Sequence, residues 1–135
     1  MKVYKTKIKE FAGTDYKEVY NHADKFYKSI KSKTKRRPYV RSAYFKKQKI
    51  FLGLFWSHLY EKNHWEKVRR MKLFACGIEL ICKSTFEPIS KDNPNKFGEI
   101  LHKFSGVTAD GKTFFVQIKE DKRSGQKWLM SVFSA

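Results

Sequence analysis

The sequence predicts an α+β protein in which N-terminal helices pack on one face of a C-terminal antiparallel sheet of three to five strands. Its 135 residues are the size of one domain. Within residues 1–83, apolar residues recur at helical spacing in several segments, whereas apolar and polar residues alternate in segments of residues 97–134. The 41% hydrophobic and 16% aromatic content is enough to build a packed core. We therefore expect a single domain over residues 1–135, a basic helical part followed by a β-meander.

The N-terminal region predicts a strand and then a helix. Alternation over residues 1–9 favours a short strand, which Gly13 ends. Thr14 and Asp15 offer an N-cap, and Glu18 stands three residues after Asp15, as in a capping box. The apolar stripe that follows predicts a first helix at about 14–30, with that stripe facing the core.

The middle of the chain predicts a basic loop at 31–37 and a partly extended segment at 39–52. Two more helices are predicted after these, at about 52–63 and about 64–83. Pro38 biases the residue before it away from helix. Asn63 can cap the third helix, because Glu66 stands three residues further on. Residues 84–98 contain Pro, Asn and Gly without a helical or strand period, which predicts a loop.

The last third predicts three antiparallel strands, at about 99–107, 112–120 and 127–133. A three-residue turn that ends at Gly111 sets three cross-strand pairs, Gly106 with Phe114, Phe104 with Val116 and His102 with Ile118. This register separates an apolar face from a polar face, whereas a one-residue slip would mix them. The apolar face should meet the helices, and the polar face carries Lys103, Ser105, Phe115, Gln117 and Lys119.

The net charge of +17 is concentrated in the first half of the chain. Residues 1–72 carry a balance of +15 and residues 73–135 one of +2, and residues 25–49 hold 11 basic residues and no acidic one. Such density with interleaved aromatics is typical of a nucleic-acid-binding surface, because phosphates meet cations while unstacked bases lie on rings. A solvated lysine-rich surface is the simpler alternative. The predicted contacts, with RNA favoured, are Lys33, Lys35, Arg36, Arg37, Tyr39, Arg41, Tyr44, Lys46, Lys47, Lys49, Arg69 and Arg70.

Several classes of protein are excluded by what the sequence lacks. Its longest apolar run is far shorter than the roughly 18 residues of a membrane span, and its N-terminus has no signal-peptide core. Two cysteines, Cys76 and Cys82, provide neither a disulfide framework nor the four ligands of a metal site, and the four histidines are scattered along the sequence. A phosphate-binding glycine loop is absent from the sequence. We expect a cytoplasmic protein with no membrane partner, no metal and no cofactor.

Metal-free RNA cleavage is compatible with this composition. It needs a base for the 2′-hydroxyl, an acid for the leaving oxygen and cations for the phosphate. The predicted catalytic residues are Arg41, His102, Lys103 and Gln117. His102 suits proton transfer near neutrality. The predicted register, however, places it on the apolar face, where it could equally be a half-buried histidine with its hydrogen bonds satisfied. Gln117 also fits an ordinary solvent-facing residue of a strand.

The segment Phe104–Gly111, followed by Phe114–Ile118, resembles hairpins of small phage and plasmid proteins of the barnase–EndoU–colicin–RelE-like nuclease superfamily. The resemblance covers mainly residues 99–133, with weaker support from Arg41 to Leu59. It implies N-terminal helices and an antiparallel sheet whose open face holds RNA. The predicted strands contain no clear match to the sheet glutamate of the barnase branch. A RelE-like arrangement, in which Lys and Arg do most of the catalysis, is therefore the better match.

Three functions stay open at this point. The first is a metal-independent endoribonuclease or toxin-like RNA-cleaving effector of a mobile element, with an acidic antitoxin or host protein as an expected partner. The second is a non-catalytic nucleic-acid-binding protein of a phage or plasmid, which needs only the basic patch and the aromatics. The third is a basic adaptor or inhibitor that binds an acidic protein. Convergence of Arg41, Lys103 and Gln117 in one cleft would favour cleavage.

Overall fold

The computed structural model describes residues 2–135. Four helices in this range are α1 (Tyr16–Lys31), α2 (Gly53–Leu59), α3 (His64–Lys72) and α4 (Phe74–Lys83). Seven strands in the same range are β1 (Tyr4–Lys5), β2 (Tyr39–Arg41), β3 (Lys49–Phe51), β4 (Ile89–Asp92), β5 (Glu99–Val107), β6 (Thr113–Asp121) and β7 (Lys127–Ser134). The predicted α+β class is confirmed.

The seven strands of the described residues form one mixed sheet rather than an antiparallel sheet of three to five strands. Its order is β1-β5-β6-β7-β3-β2, and β4 also pairs with β5. Strand β1 runs parallel to β5, and β3 runs parallel to β7. The strand predicted over residues 1–9 and the extended segment predicted over residues 39–52 are present as β1, β2 and β3. The prediction missed that they join the C-terminal sheet, because strands of two or three residues carry too little pattern to indicate their partners.

The predicted register of the central hairpin is confirmed. Gly106 pairs with Phe114, Phe104 with Val116, and His102 with Ile118. Gly111 ends the turn in the left-handed region, at φ 92°, which glycine adopts without a steric penalty. The register between β6 and β7 shifts at Gln117 and Ile118. Such a bulge increases the local twist of a sheet.

The segment predicted as a loop over residues 84–98 contains β4, so that prediction is wrong in part. Ile89 pairs with Lys103 and Ser90 with His102. All four residues of β4 are exposed, which explains the missing signal, because an edge strand with no buried side chain shows no alternation.

Helix α1 begins where its cap predicts. The Asp15 carboxylate accepts the backbone N–H of Glu18 at 3.0 Å. Asn63 caps α3 in the same way, at 3.0 Å from the N–H of Glu66. The expected single helix over 64–83 is wrong, because α3 ends at the buried Leu73 and α4 starts again at Phe74.

The break at Leu73 separates a polar helix from an apolar one. Helix α4 is buried along almost all its length and packs on the sheet through close contacts. A Cβ added at Gly77 would lie 2.7 Å from Cγ2 of Val132. Helices α2 and α3 instead pack beside β7. None of the helices within residues 2–135 is long and apolar enough to cross a membrane.

Candidate nucleic-acid interface

The sheet has a buried face and a partly exposed face, as the register predicts. Phe104, Phe114, Val116 and Ile118 are at most 4% exposed and belong to the core. The opposite side, which we call the open face, carries side chains of β5, β6 and β7. These are Leu101, Lys103, Phe115, Gln117, Lys119, Trp128, Ser131 and Phe133. Lys103 and Gln117 are direct cross-strand partners there, and Gln117 pairs on its other side with Ser131.

Cations and aromatic rings alternate across the open face. Lys103 Nζ lies 4.6 Å from the ring centre of Phe115, and Lys119 Nζ lies 5.0 Å from that of Trp128. From α3, the Arg70 guanidinium lies 5.5 Å from the Phe133 ring. Because the ring and the cation of each pair are adjacent, one can meet a base while the other meets a phosphate.

A small pocket of about 220 Å³ opens where α2 and α3 meet the open face. We call it the His58 pocket. Helix residues supply its basic groups, and β6 and β7 supply its floor. Its lining consists of His58, Lys62, Arg70, Gln117, Met130, Ser131 and Phe133. A second pocket of about 280 Å³ adjoins it and shares Gln117 and Phe133, which brings Lys103 to the same region.

His58 reaches this pocket because of the amphipathic character of α2. Phe55, Trp56 and Leu59 are buried, which leaves His58 half-buried on the side towards the open face. Lys62, in the turn between α2 and α3, also lines the pocket. His58 was not among the residues predicted from the sequence. Its position next to the buried Phe55, Trp56 and Leu59 marks it as a polar residue at the edge of the apolar face of α2, but helical spacing alone does not show which strand this side of the helix meets.

Arg70, predicted to contact nucleic acid, does lie at the open face. Its Nε atom is 3.1 Å from Oε2 of Glu66 on the preceding turn. This carboxylate offsets part of its charge and holds the guanidinium in place over the sheet. Arg69 pairs with the other oxygen of Glu66, at 3.5 Å, and is exposed on the outside of the helix.

His102 lies on the other side of the sheet from Lys103 and Gln117. Its Nδ1 atom is 2.6 Å from Oγ of Ser90, and its Nε2 atom is 2.8 Å from Oε1 of Glu120. Donation from Nε2 to the carboxylate leaves Nδ1 to accept the serine hydroxyl proton. The ring is 7% exposed. This geometry agrees with the alternative of a satisfied histidine of the core face.

The His102 cluster continues through Lys127, which is 5% exposed. Its Nζ atom lies 3.7 Å from Oε1 of Glu120 and 2.6 Å from Oε1 of Gln48. Phe45 covers the cluster, with its ring centre 4.8 Å from that Nζ and 5.0 Å from the His102 ring. These contacts join the loop between β2 and β3 to the edge of the core.

Arg41 also stands apart from Lys103 and Gln117. It is on β2, and β7 and β3 lie between this strand and β6. At a spacing of about 4.8 Å per strand, that separation is about 14 Å across the sheet. Its Nη1 atom donates to the backbone carbonyl of Lys47 at 3.0 Å. The four predicted catalytic residues therefore do not converge in one cleft, and only the pair Lys103 and Gln117 adjoins the pocket in the described residues.

The basic segment of residues 25–49 divides between the two sides of the molecule. Arg37 lies 4.1 Å over the ring of Phe51, beside the open face. Lys49 lies 4.7 Å over the ring of Tyr39 at the outer edge of the sheet. Tyr44 contacts Phe104 from the core side, at 5.7 Å between ring centres. The other predicted contacts of this segment are exposed, at Lys33, Lys35, Arg36, Lys46 and Lys47.

The two cysteines, Cys76 and Cys82, lie in buried or half-buried surroundings. Burial raises the pKa of the Cys76 thiol to about 11, and burial also raises the pKa of Cys82. Thiols in such surroundings are poor nucleophiles, because the thiolate is the reactive form. Within residues 2–135, clusters of three or more His, Cys, Asp or Glu with metal-binding geometry are absent.

Comparisons with protein-family models, with curated proteins and with solved structures found no match to this chain.

Proposed function

We propose that this protein is a metal-independent endoribonuclease that binds single-stranded RNA across the open face and cleaves it in the His58 pocket. The observation that carries the proposal is the meeting of His58 and Arg70, from two helices, with Gln117 of the sheet in one pocket. An imidazole for proton transfer and a guanidinium for phosphate charge are the groups that this reaction needs.

The proposed reaction uses the pocket residues in distinct roles. The His58 imidazole takes the proton of the 2′-hydroxyl, whose oxygen attacks the adjacent phosphorus. The bond from phosphorus to the 5′-oxygen breaks, and the Lys62 ammonium donates a proton to that oxygen. The Arg70 guanidinium offsets the charge that develops on the non-bridging oxygens. The products are a 2′,3′-cyclic phosphate and a 5′-hydroxyl.

The alternation of cations and rings also favours a second function, RNA binding without cleavage. Lys103 beside Phe115 and Lys119 beside Trp128 provide the contacts that binding alone requires. Such a protein would retain its affinity when the pocket is altered. Cleavage and binding must therefore be measured separately.

The test is cleavage of a labelled, unstructured RNA in excess EDTA. We expect the protein to cleave it and His58→Ala to lower the rate about 10²–10⁴-fold, the usual contribution of a general base. The matched control is His64→Ala, since this exposed histidine stacks on Tyr16 with ring centres 5.7 Å apart, outside the pocket. Equal losses in the two variants, or cleavage that EDTA abolishes, would contradict the proposal. Binding without cleavage would favour the second function.

A further inference from the structure

A cavity lies at the end of the open face, beyond the His58 pocket. Its volume is about 730 Å³, which is in the range of small-molecule sites. Two aromatic residues line it, Phe97 from the loop before β5 and Trp128 from β7. Lys119, Lys122 and Arg123 line it as well.

We infer that this cavity is a nucleotide subsite, in which an unpaired base stacks on Phe97 and Trp128 while the basic residues contact its phosphate. The inference rests on the proposed function, because it extends the path of the same RNA strand. It adds a requirement on the substrate, which must reach from the His58 pocket to this cavity.

Phe97 is fully exposed to solvent, which is unusual for a large apolar residue of a folded domain. The loop that presents it is nevertheless held in place. The backbone N–H of Lys122 donates to the carbonyl of Gly98 at 2.9 Å, and the Asn93 amide donates to the Glu99 carboxylate at 3.0 Å. Gly98 has φ 88°, a left-handed conformation that glycine adopts without strain. A fixed loop thus displays a ring that the fold does not bury.

The charged groups around the cavity have a net positive balance. Four Lys or Arg residues and two carboxylates line it. The carboxylates are engaged within the protein: Glu99 lies 3.4 Å from Lys119 and equally close to Lys96, and Asp121 accepts the Ser124 hydroxyl at 2.9 Å. Lys122 is paired with Asp92 at 2.8 Å. With this third carboxylate counted against the four cations, the balance is still positive, as an anionic ligand requires.

The cavity is connected to the His58 pocket along the open face. Lys119 stands two residues after Gln117 on β6, which is about 7 Å along the strand. Lys119 and Trp128 also line a groove of about 440 Å³ that leads to Arg37 and Phe51. A strand bound at Gln117 therefore reaches Trp128 within a few nucleotides, over surface that alternates cations and rings.

The experiment measures binding on a background that does not cleave. Fluorescence anisotropy compares His58→Ala with the double variant His58→Ala, Phe97→Ala, using an oligouridylate of about eight nucleotides. Loss of one base stack should weaken binding of this RNA about 5–150-fold. Trp65→Ala in place of Phe97→Ala is the control, since Trp65 is also largely exposed, at 68%.

Unchanged affinity of the Phe97→Ala variant for this RNA would overturn the inference. So would an equal loss in the Trp65→Ala control, because that would show a general effect of removing an exposed ring rather than a base stack in this cavity. Folding is checked by circular dichroism, and the ring lies outside the core, so the variant should fold. Failure of the wild-type protein to cleave RNA would contradict the proposed function alone, since this binding measurement does not need cleavage.

Discussion

The Nε2 atom of His102 lies 2.8 Å from Oε1 of Glu120 on the buried side of the sheet, while the next residue, Lys103, lies on the open face. Adjacent residues of one strand thus belong to two different sites, as the period of two requires. The His102 side is a network of satisfied polar groups at the edge of the core. The Lys103 side adjoins the His58 pocket.

This separation predicts that His102→Ala affects stability rather than cleavage. The substitution removes two hydrogen bonds and leaves the Glu120 carboxylate without its imidazole partner, so we expect a loss of about 2–4 kcal/mol in the free energy of unfolding. Urea denaturation followed by tryptophan fluorescence measures this. The folded variant should cleave RNA within about threefold of the wild-type rate, whereas a loss comparable to that of His58→Ala would show that His102 acts in catalysis.

Gly106 should tolerate a side chain poorly, because it lies beneath the core-face aromatic Phe114. A Cβ there would be 2.6 Å from Cζ of Phe114 and 2.8 Å from Cδ1 of Leu80. We expect Gly106→Ala to destabilise the protein by about 1–3 kcal/mol through overpacking.

The matched control is Gly53→Ala at the start of α2, where an added Cβ would meet nothing within 4 Å. Alanine there should be neutral or stabilise the protein by about 0.4–1 kcal/mol. Thermal denaturation of both variants tests the pair. Similar melting temperatures for the two variants would mean that α4 and the sheet pack less closely at Gly106 than the contacts indicate.

Lys103 should contribute one phosphate contact to RNA binding. For single strands the logarithm of the binding constant falls with the logarithm of salt by about 0.7 per phosphate neutralised. We expect Lys103→Ala to weaken binding and to lower that slope by about 0.7. The control is Lys83→Ala, at the exposed end of α4, and its slope should match that of the wild type. Equal salt dependence of binding in all three proteins would show that Lys103 makes no phosphate contact.

Tyr4 should make stability depend on pH in the alkaline range. Burial raises its pKa to about 12, with the hydrogen bond to Glu79 adding to this rise. The hydroxyl donates to Oε2 of Glu79 at 2.7 Å, so the native state keeps the proton that the unfolded chain loses near pH 10. This contribution is present below pH 10 and is lost as the pH rises from about 10 towards 12.

The variant Tyr4→Phe isolates this effect. It should lower the free energy of unfolding by about 1–2 kcal/mol at neutral pH, and the difference from the wild type should shrink above pH 10. Urea titrations of both proteins between pH 8 and 11 measure that difference. A gap that stays constant over the range would show that the Tyr4 proton is not linked to folding.

The sequence predicted the parts of the fold that depend on neighbouring residues. The Asp15 cap indicated the start of α1, and the Gly111 turn indicated the register that pairs His102 with Ile118 and Lys103 with Gln117. The strand predicted over residues 1–9 is present as β1, and the extended segment predicted over residues 39–52 contains β2 and β3. Strand β4 and the pairings of β1 with β5 and of β3 with β7 were missed, since these pairings depend on partners distant along the chain. The break at Leu73 was missed because helical spacing continues on both sides of it.

The candidate site was predictable only in part. Lys103 and Gln117 share a face because alternation along a strand is a local property. The meeting of His58 and Arg70 over Gln117 depends on how α2 and α3 pack beside β7, and nothing in their spacing specifies that packing. Arg41 was placed with the site on charge alone, and its strand lies at the outer edge of the sheet.

The central claim is that the His58 pocket cleaves RNA through the 2′-hydroxyl without a metal ion. The most direct measurement is single-turnover cleavage, in excess EDTA, of an RNA and of the same sequence with 2′-deoxyribose throughout, with mass analysis of the products. We predict that the RNA yields 2′,3′-cyclic phosphate and 5′-hydroxyl ends, while the deoxy strand binds and stays intact. Cleavage of the deoxy strand, or cleavage of RNA that needs an added divalent metal and leaves 3′-hydroxyl ends, would contradict the account.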